Sequence, residues 1–351
     1  MLMRLKAALG EVIACARTNR QTLEGAADCI RRLCGSRWVG IYQVDHSRSL
    51  VENVVFTGGP APIHPTFAID KGLTGLAIAQ RKTVIVDDVS KDSHYLPTLP
   101  DTRTEAIIPV LDGSTVVGTI DVENPVPTSL TEEMISVLQR CAISLAPFLS
   151  NETVRLESTR IRPAEANDLA QITAIHNYYV ENSHLSFDIH AFSTGQRGSW
   201  FAEHCAGGRH RLIVAEDEQH GVIAYATSGR FRAKEAYGTT VEVSIQCAPT
   251  FKGGGLGRRL YDELFALLAA EDVRCAVAGI AIPNPASVAL HERMGFHAIG
   301  TFCQVGRKFD RYWDVLWMQR IFARSGCAAL PTRTPHPPLA PRRTLSILAS
   351  P

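Results

Sequence analysis

The stretch PTFKGGGLGRRLYDELFALLAAE, residues 249–271, places three adjacent glycines and a fourth, Gly257, directly ahead of an amphipathic helical pattern. Leu260, Leu264 and Leu268 share one face of that helix, which predicts packing on a sheet with the helix N-terminus left open. Unpaired N–H groups and the dipole at a helix start favour an anion such as phosphate, and glycines let the backbone approach it. No Lys-Ser/Thr pair closes the loop, so it is not a Walker loop, and a plain turn is the alternative interpretation.

The segment TTVEVSIQC, residues 239–247, runs into this loop and alternates apolar with polar side chains, as a strand does. Val241 and Val243 lie on one face and Glu242 lies on the other. Glu242 can therefore face a cleft beside the anion site and act there as a general base. An amine acceptor needs such a base, because an α-amino group near neutral pH is mostly ammonium. An exposed strand glutamate without a function is the alternative.

A second polar pair lies in IPNPASVALHERMGF, residues 282–296. Asn284 followed by Pro285 is typical of a helix start, with an N-cap residue and proline at the first helical position. His291 follows Ser287 by four residues on that helix, and histidine can take either proton role near neutral pH. A surface position explains a lone helical histidine equally well, and capping alone explains Asn284.

Length and composition limit the class of protein. A chain of 351 residues suits two domains, and its 45% apolar and 20% charged residues are ordinary for a globular protein. The formal charge of +1 implies no nucleic-acid partner. No apolar run approaches the ~18 residues of a membrane span, and the N-terminus differs from a signal peptide, so we expect a cytoplasmic protein without a membrane partner. Nine scattered cysteines without CxxC pairs suit reduced thiols, and no metal is expected.

The two halves of the chain differ in sequence pattern and meet at a polar stretch, which we interpret as a linker over residues 151–159. The predicted domains are residues 1–150 and 160–325. The remainder, residues 326–351, is rich in proline and arginine and lacks a periodic apolar face, which predicts a disordered tail.

The first half begins with two helical patterns, at about residues 2–18 and 21–34, followed by strand-like segments. Two of these join at the hairpin signal Asp112-Gly113-Ser114, and a closing helix starts near Leu130. This order predicts an antiparallel sheet with helices on one side. With DKGLTGLAIAQRKTVIVDDVSKDSHYLP and RTEAIIPVLDGSTVVGTIDVENP, it resembles the GAF family of small-ligand sensory domains.

Some GAF proteins reduce free methionine sulfoxide with cysteine thiolates. Here neither residues 72–75 nor the loop 91–103 contains a cysteine, which excludes that activity because Leu or Thr cannot replace a thiolate. The Asn-Lys-Phe-Asp-Glu pattern of cyclic-nucleotide-binding members is missing as well. The resemblance implies a module that binds an unknown small ligand or dimerises, and a degenerate domain that binds nothing is the alternative.

From residue 160 the predicted order is β, α, β, β, β, loop, α, β, α, β, which with the glycine loop resembles the GNAT acetyltransferases. In that family the loop pattern Arg/Gln-x-x-Gly-x-Gly/Ala binds the pyrophosphate of acetyl-CoA, so acetyl-CoA is the expected cofactor. At the first position of this pattern the chain has Lys252 instead of Arg or Gln. Lysine keeps the positive charge but lacks the planar bidentate geometry of arginine, which puts the affinity for the cofactor in question. The resemblance implies a mixed sheet with helices on both faces, and α+β for the whole chain. The implied cofactor-binding residues are Ile245, Gln246, Cys247, Lys252, Gly253, Gly254, Gly255, Leu256, Gly257, Arg258 and Asn284.

The segments RPAEANDLAQITAIHNYYVENSHLSFD, FRAKEAYGTTVEVSIQ and VGRKFDRYWDVLWMQRIF narrow the resemblance to the phosphinothricin N-acetyltransferase branch, over about residues 160–322. It implies acetylation of the amino group of a small amino acid analogue, such as phosphinothricin, methionine sulfoximine or methionine sulfone. Glu242 stands at the family's general base and His291 at an auxiliary acid or base. The backbone N–H groups of Gln246 to Ala248 are expected to hold the carbonyl oxyanion.

The same resemblance implies a substrate site ahead of the catalytic strand. Arg232 is the expected anchor for a carboxylate or phosphinate, and Lys234 stands where relatives often have arginine. Phe187 and Tyr237 match positions that line the cleft, although both could be core aromatics. A homodimer is expected. Two rival functions stay open: acetylation of a protein amine or an aminoglycoside, and a GAF-based sensor whose second half binds CoA without catalysis.

Overall fold

The computed structural model describes residues 1–126, 130–150, 159–204, 207–251 and 255–322. The predicted tail and nearly all of the predicted linker lie outside these residues, as do Lys252, Gly253 and Gly254. In the first half the elements are α1 (Leu2–Cys15), α2 (Asn19–Cys34), β1 (Trp38–Asp45), β2 (Leu50–Thr57), β3 (Thr66–Ala68), α3 (Gly72–Gln80), β4 (Val84–Val86), β5 (Thr104–Asp112), β6 (Thr115–Asn124) and α4 (Glu132–Leu149).

The first domain is a six-stranded antiparallel sheet in the order β3-β2-β1-β6-β5-β4. Helices α1, α2 and α4 cover one face, where Val39 and Ile41 of β1 join the larger hydrophobic core. The other face is covered too, because Trp38 and Tyr42 of the same strand pack in a second cluster and α3 contacts β5. The prediction of helices on one side alone is therefore wrong. Side chains on both faces of β1 are buried, and the short helix α3 covers part of the second face of the sheet.

The second half continues the chain order with a longer set of elements. These are β7 (Arg160–Pro163), α5 (Leu169–Asn182), α6 (Thr194–Ala202), β8 (Arg211–Asp217), β9 (Gly221–Arg230), β10 (Thr240–Cys247), α7 (Leu256–Ala269), β11 (Cys275–Ile282), α8 (Pro285–Arg293), β12 (His297–Lys308) and β13 (Arg311–Ile321). The predicted order lacked α6 and ended in one strand. The structure instead ends in the β12–β13 hairpin, whose turn holds Phe309 and Asp310 with positive φ.

The second sheet has seven strands in the order β12-β13-β11-β10-β9-β8-β7, and only β10 and β11 run parallel. Helix α7 packs on the face of Val241 and Val243, while α5 packs on the opposite face through Ile172 and Ile175. Helices on both faces of a mixed sheet are thus confirmed. The whole chain is an α+β protein of two domains.

The two domains touch through α4 and α5. The Ser144 hydroxyl donates to Asn182 Oδ1 at 2.5 Å, and the Tyr178 hydroxyl donates to the Ser144 carbonyl at 3.1 Å. A second contact joins Arg311 in the β12–β13 hairpin to Glu11 of α1, with 2.7 Å between charged atoms. Among the residues described, no helix is both long and apolar enough to cross a membrane.

Candidate active site

The centre of the second sheet opens where its two parallel strands separate. Strand β10 pairs with β9 from Val241 to Cys247, but it pairs with β11 only from Thr240 to Glu242, opposite Cys275 to Val277. After Val277 the described residues of β11 pair with β13 and no longer with β10. The edge of β10 that faces the gap therefore offers backbone N–H and C=O groups without a strand partner, and such groups need one.

Glu242 lies at the point where the gap begins and is half-buried. Burial raises the pKa of its carboxyl, and the nearby positive charge of Arg232 opposes that rise. Gly229 stands directly opposite Glu242 on β9, and a methyl group added there would meet no atom within 4 Å. No side chain of β9 therefore fills the position opposite Glu242 on the same face of the sheet.

Aromatic side chains cluster just after the end of β9. The rings of Phe231 and Trp317 meet edge to face with centroids 6.0 Å apart, and Phe231 and Tyr237 meet at 5.7 Å. The Arg232 guanidinium lies 5.0 Å from the Phe231 ring centroid and 6.0 Å from that of Tyr237. Arg232 therefore lies near both the Glu242 carboxyl and the rings of Phe231 and Tyr237.

The start of α7 forms the other end of the site. Gly255 is its N-cap residue with φ +84, no side chain caps the helix, and an added methyl group at Gly255 would meet nothing within 4 Å. The helical ladder starts with Arg259 N–H donating to the Gly255 carbonyl at 3.1 Å, so the N–H groups of residues 256–258 lie outside it. Gly257 has a packing role, since a methyl group there would lie 3.0 Å from Leu290.

The end of β10 is held by side chains that the sequence analysis did not single out. The Tyr179 hydroxyl donates to the Cys247 carbonyl at 2.7 Å, and the Tyr225 hydroxyl donates to Gln246 Oε1 at 2.6 Å. His176 Nδ1 lies 3.1 Å from the same Gln246 oxygen. These contacts fix the strand where β11 no longer supports it. The adjacent tyrosines in α5 are the sequence feature that could have indicated these contacts. Helical periodicity alone, however, does not predict which residue of β10 each tyrosine meets.

One part of the predicted oxyanion site is corrected. The N–H group of Ala248 donates to the Ile223 carbonyl at 2.8 Å, so it is already paired within the fold. Any oxyanion donor from this strand end has to come from the residues before it.

The remaining predicted residues lie around the cleft in different settings. Asn284 caps α8, accepting the Ser287 N–H at 3.1 Å. Lys234 is exposed ahead of the turn that carries Tyr237. Phe187 packs on β12 instead, because a methyl group added at Gly306 would lie 2.2 Å from its ring. Among the residues that the structure describes, Phe187 makes no hydrogen bond or ring contact with Glu242. Arg258 is exposed and lies 3.5 Å from Asp262 on the same helix.

His291 occupies a closed position between α7 and α8, with 3% of its surface exposed. Its Nδ1 donates to the Ser287 carbonyl at 2.8 Å, and its Nε2 accepts from the Tyr261 hydroxyl at 3.0 Å. Burial lowers the pKa of the imidazole, which keeps it neutral near neutral pH. Both ring nitrogens are therefore engaged within the fold.

We expect His291→Gln to act on stability more than on turnover. Glutamine lacks the ring geometry that lets the imidazole bond the Ser287 carbonyl and the Tyr261 hydroxyl at once, so the free energy of unfolding should fall by about 1–3 kcal/mol. Because both ring nitrogens are hydrogen-bonded within the fold, kcat of the folded enzyme should fall by less than about tenfold, below the usual effect of a proton-transfer group. Urea unfolding and steady-state kinetics check this. A loss of a hundredfold or more with unchanged stability would restore a direct proton role.

Comparison with known proteins agrees with this geometry. A model described as an acetyltransferase (GNAT) domain matches residues 161–317, and a GAF domain model matches residues 19–147. The phosphinothricin N-acetyltransferase of Streptomyces coelicolor is 46% identical over 162 residues, covering 46% of this chain and 95% of that protein. The L-methionine sulfoximine/L-methionine sulfone acetyltransferase of Pseudomonas aeruginosa is 35% identical, covering 46% of this chain and 94% of that protein. A solved phosphinothricin acetyltransferase from Sinorhizobium meliloti in complex with AcCoA is 33% identical, with a TM-score of 0.46, covering 51% of this chain and 96% of that chain.

The matching domain model and these relatives define the second half of the chain as an acetyltransferase. The chain belongs to the GNAT acetyltransferase family through its second half, and a GAF domain precedes it. Within the family it is of the type that phosphinothricin and methionine sulfoximine acetyltransferases represent. The predicted fusion of the two domains and the predicted cofactor are confirmed.

The residues at this site fit acetyl-CoA. The uncapped start of α7 and the open space at Gly255 suit a pyrophosphate, because free N–H groups and a helix dipole face it. The unpaired edge of β10 after Glu242 suits the amide-containing pantetheine arm, since backbone groups can pair with those amides. The chain therefore offers donors for both polar parts of the cofactor.

Proposed function

We propose that the enzyme acetylates the amino group of a small amino acid analogue of the phosphinothricin or methionine sulfoximine class. The observation that carries this proposal is a half-buried carboxylate at the start of the gap between β10 and β11, with an arginine nearby that also lies next to aromatic rings. A carboxylate can take the amine proton, the arginine can bind an acidic group, and the rings can contact an apolar side chain. The names of the relatives support the same substrate class.

In the proposed mechanism bound acetyl-CoA supplies the acetyl group as a thioester. Glu242 accepts a proton from the acceptor ammonium, which frees the nitrogen lone pair to attack the thioester carbonyl. The C–N bond forms as the C–S bond breaks, and CoA leaves as the thiol with the second proton that the nitrogen loses. Because burial raises the pKa of this carboxyl, it is a better proton acceptor than an exposed glutamate. The open space over Gly229 lets the amine approach Glu242 from the same face of the sheet.

We expect Arg232→Met to weaken the acceptor without affecting the cofactor. Loss of a charged hydrogen bond should raise KM for phosphinothricin by about tenfold to a hundredfold and leave KM for acetyl-CoA unchanged. Since the Arg232 charge lowers the pKa of Glu242, its loss should also move the acidic limb of the pH–rate profile to higher pH. Lys234→Met is the matched control, and an equal effect there would contradict the assignment of Arg232 as the anchor.

The function itself is tested by release of free CoA thiol from acetyl-CoA in the presence of different amines. We expect turnover with phosphinothricin, methionine sulfoximine and methionine sulfone. A peptide amine and an aminoglycoside should react much more slowly, because an arginine next to aromatic rings suits a small acidic acceptor. Turnover with the aminoglycoside or peptide alone would overturn the substrate class, and none with any amine would favour the sensor function.

The proposal includes a homodimer and a cytoplasmic location. Strand β12 is an exposed edge with large apolar side chains at Ile299, Phe302 and Val305, which suits a second copy because unpaired apolar edges invite pairing. The free cysteines among the described residues suit a reducing compartment. We also propose residues 1–150 and 160–325 as the two domains, with residues 151–159 as linker and 326–351 as tail.

A further inference from the structure

A glycine in α1 lets the first domain approach the second at backbone distance. Gly10 is buried inside this helix, and a methyl group added there would lie 3.1 Å from Ser183 Cα and 3.4 Å from the Asn182 carbonyl oxygen. Glycine inside a helix is less favourable than alanine, so this position needs a reason other than helix formation. The close contact with the end of α5 is such a reason.

The next residue of α1 contacts the same region by a second route. Glu11 forms an ion pair with Arg311, whose guanidinium lies 4.5 Å from the ring centroid of Trp313. The Trp313 ring stacks on His184, with centroids 4.0 Å apart and planes 7° from parallel. His184 also directly follows the residue that the α1 glycine contacts. Both contacts of α1 therefore lead to His184.

His184 is fully buried and holds one carbonyl group. Its Nε2 lies 3.0 Å from the Pro283 carbonyl oxygen, and because a carbonyl can only accept, Nε2 carries the proton and donates it. The other ring nitrogen, Nδ1, is buried without a hydrogen-bond partner among the described residues. Burial lowers the pKa of the imidazole to about 4, so the ring is neutral near neutral pH. The ring thus makes one directed hydrogen bond, to Pro283.

Pro283 lies between the end of β11 and the start of α8, across the gap from β10. Asn284, the residue after it, caps α8 and is one of the predicted contacts of acetyl-CoA. Helix α1 also contacts α8 directly. A displacement of α1 or of His184 therefore moves a turn that borders the proposed cofactor site.

We propose that helix α1 of the GAF domain sets the affinity of the acetyltransferase domain for acetyl-CoA, with His184 as the positioning residue that links α1 to the Pro283 turn. A change in the first domain that moves α1 relative to α5 acts on cofactor binding through this link. The coupling between two sites limits the size of the effect, typically to about fivefold to 150-fold in affinity. The link requires the proposed cofactor site, whereas the identity of the amine does not enter.

The test is calorimetric titration of the full chain with acetyl-CoA in the absence of any amine. Gly10→Leu places a side chain where α1 meets Ser183, so the helix must move away, and Kd for acetyl-CoA should rise by about fivefold to fiftyfold. Gly198→Leu is the matched control, because Gly198 also lies within a helix and a methyl group added there meets no atom within 4 Å. This control should bind as the wild type does. Both exchanges favour the helix, so α1 should stay helical.

His184→Phe tests the link itself. Phenylalanine can stack on Trp313 but cannot donate to the Pro283 carbonyl, so Kd for acetyl-CoA should rise as in Gly10→Leu. At saturating acetyl-CoA kcat should stay unchanged in both variants, which a general loss of structure would not give. If the effect of α1 passes through His184, the double variant should bind no more weakly than the weaker of the two single variants. Full additivity of the two changes would overturn His184 as the link.

A second variant at the α1 glycine keeps the outcomes apart. Gly10→Ala adds one methyl group and should give a smaller rise in Kd, and it is the test if the leucine variant does not fold. Wild-type affinity in folded Gly10→Leu, or in Gly10→Ala where only that variant folds, would overturn the proposal. Unchanged affinity in Gly255→Asp would count against the cofactor site instead. These titrations contain no amine, so a wrong substrate class does not affect them.

Discussion

Glu242→Gln should bind acetyl-CoA as tightly as the wild type and lose turnover by roughly 10² to 10⁴, the usual contribution of a general base. Glutamine has nearly the same shape, so the half-buried position at the start of the β10–β11 gap stays filled. It cannot accept the ammonium proton. Steady-state kinetics with saturating acceptor and calorimetric titration with acetyl-CoA measure the two quantities separately.

The pH dependence gives a second measure of the same group. In the wild type the rate should rise with pH as Glu242 loses its proton, at a pH above that of an ordinary glutamate because burial raises its pKa. The glutamine variant should lose this limb and keep only the rise that comes from deprotonation of the free amine. Glu235→Gln, at an exposed carboxylate on the turn beside the cleft, is the control and should behave as the wild type. Wild-type turnover in the Glu242 variant at neutral pH would remove Glu242 from the mechanism.

The sequence predicted those parts of the site that follow from local pattern. The alternation of β10 placed Glu242 opposite the valines, and the leucine stripe of α7 left its N-terminus open, because both depend on neighbours a few residues away. The separation of β10 from β11 was not predictable in this way. It depends on how far residues of β11 stay in register with β10 and then pair only with β13.

Contacts between distant segments explain the differences. His291 lies within a helical pattern that suits a surface residue, yet α7 supplies Tyr261 to bury it. Glu105 and Glu123 of the first domain lie on different strands, and only the β5–β6 register brings them opposite each other. The sequence pattern of a single segment cannot predict either arrangement, because each depends on tertiary packing between segments.

Gly255→Asp should weaken acetyl-CoA by about tenfold to a hundredfold, through two effects. Its φ of +84 disfavours residues with a side chain, and the added methylene and carboxylate would enter the open space next to the uncapped start of α7. A negative charge there opposes the pyrophosphate that the free N–H groups would otherwise bind. Because the acceptor cleft lies at the other end of the gap, KM for the amine should change much less.

The control for this variant separates backbone strain from charge at the cofactor site. Gly35 has φ +63 at the end of α2, and a methyl group added there also meets nothing within 4 Å. Gly35→Asp therefore introduces the same residue into a similar backbone conformation in the other domain, with a comparable cost in stability. Calorimetric titration should give wild-type affinity for acetyl-CoA in this variant and weak binding in Gly255→Asp. Equal affinity in all three proteins would mean that the start of α7 does not hold the pyrophosphate, and that the cofactor phosphates bind elsewhere on the domain.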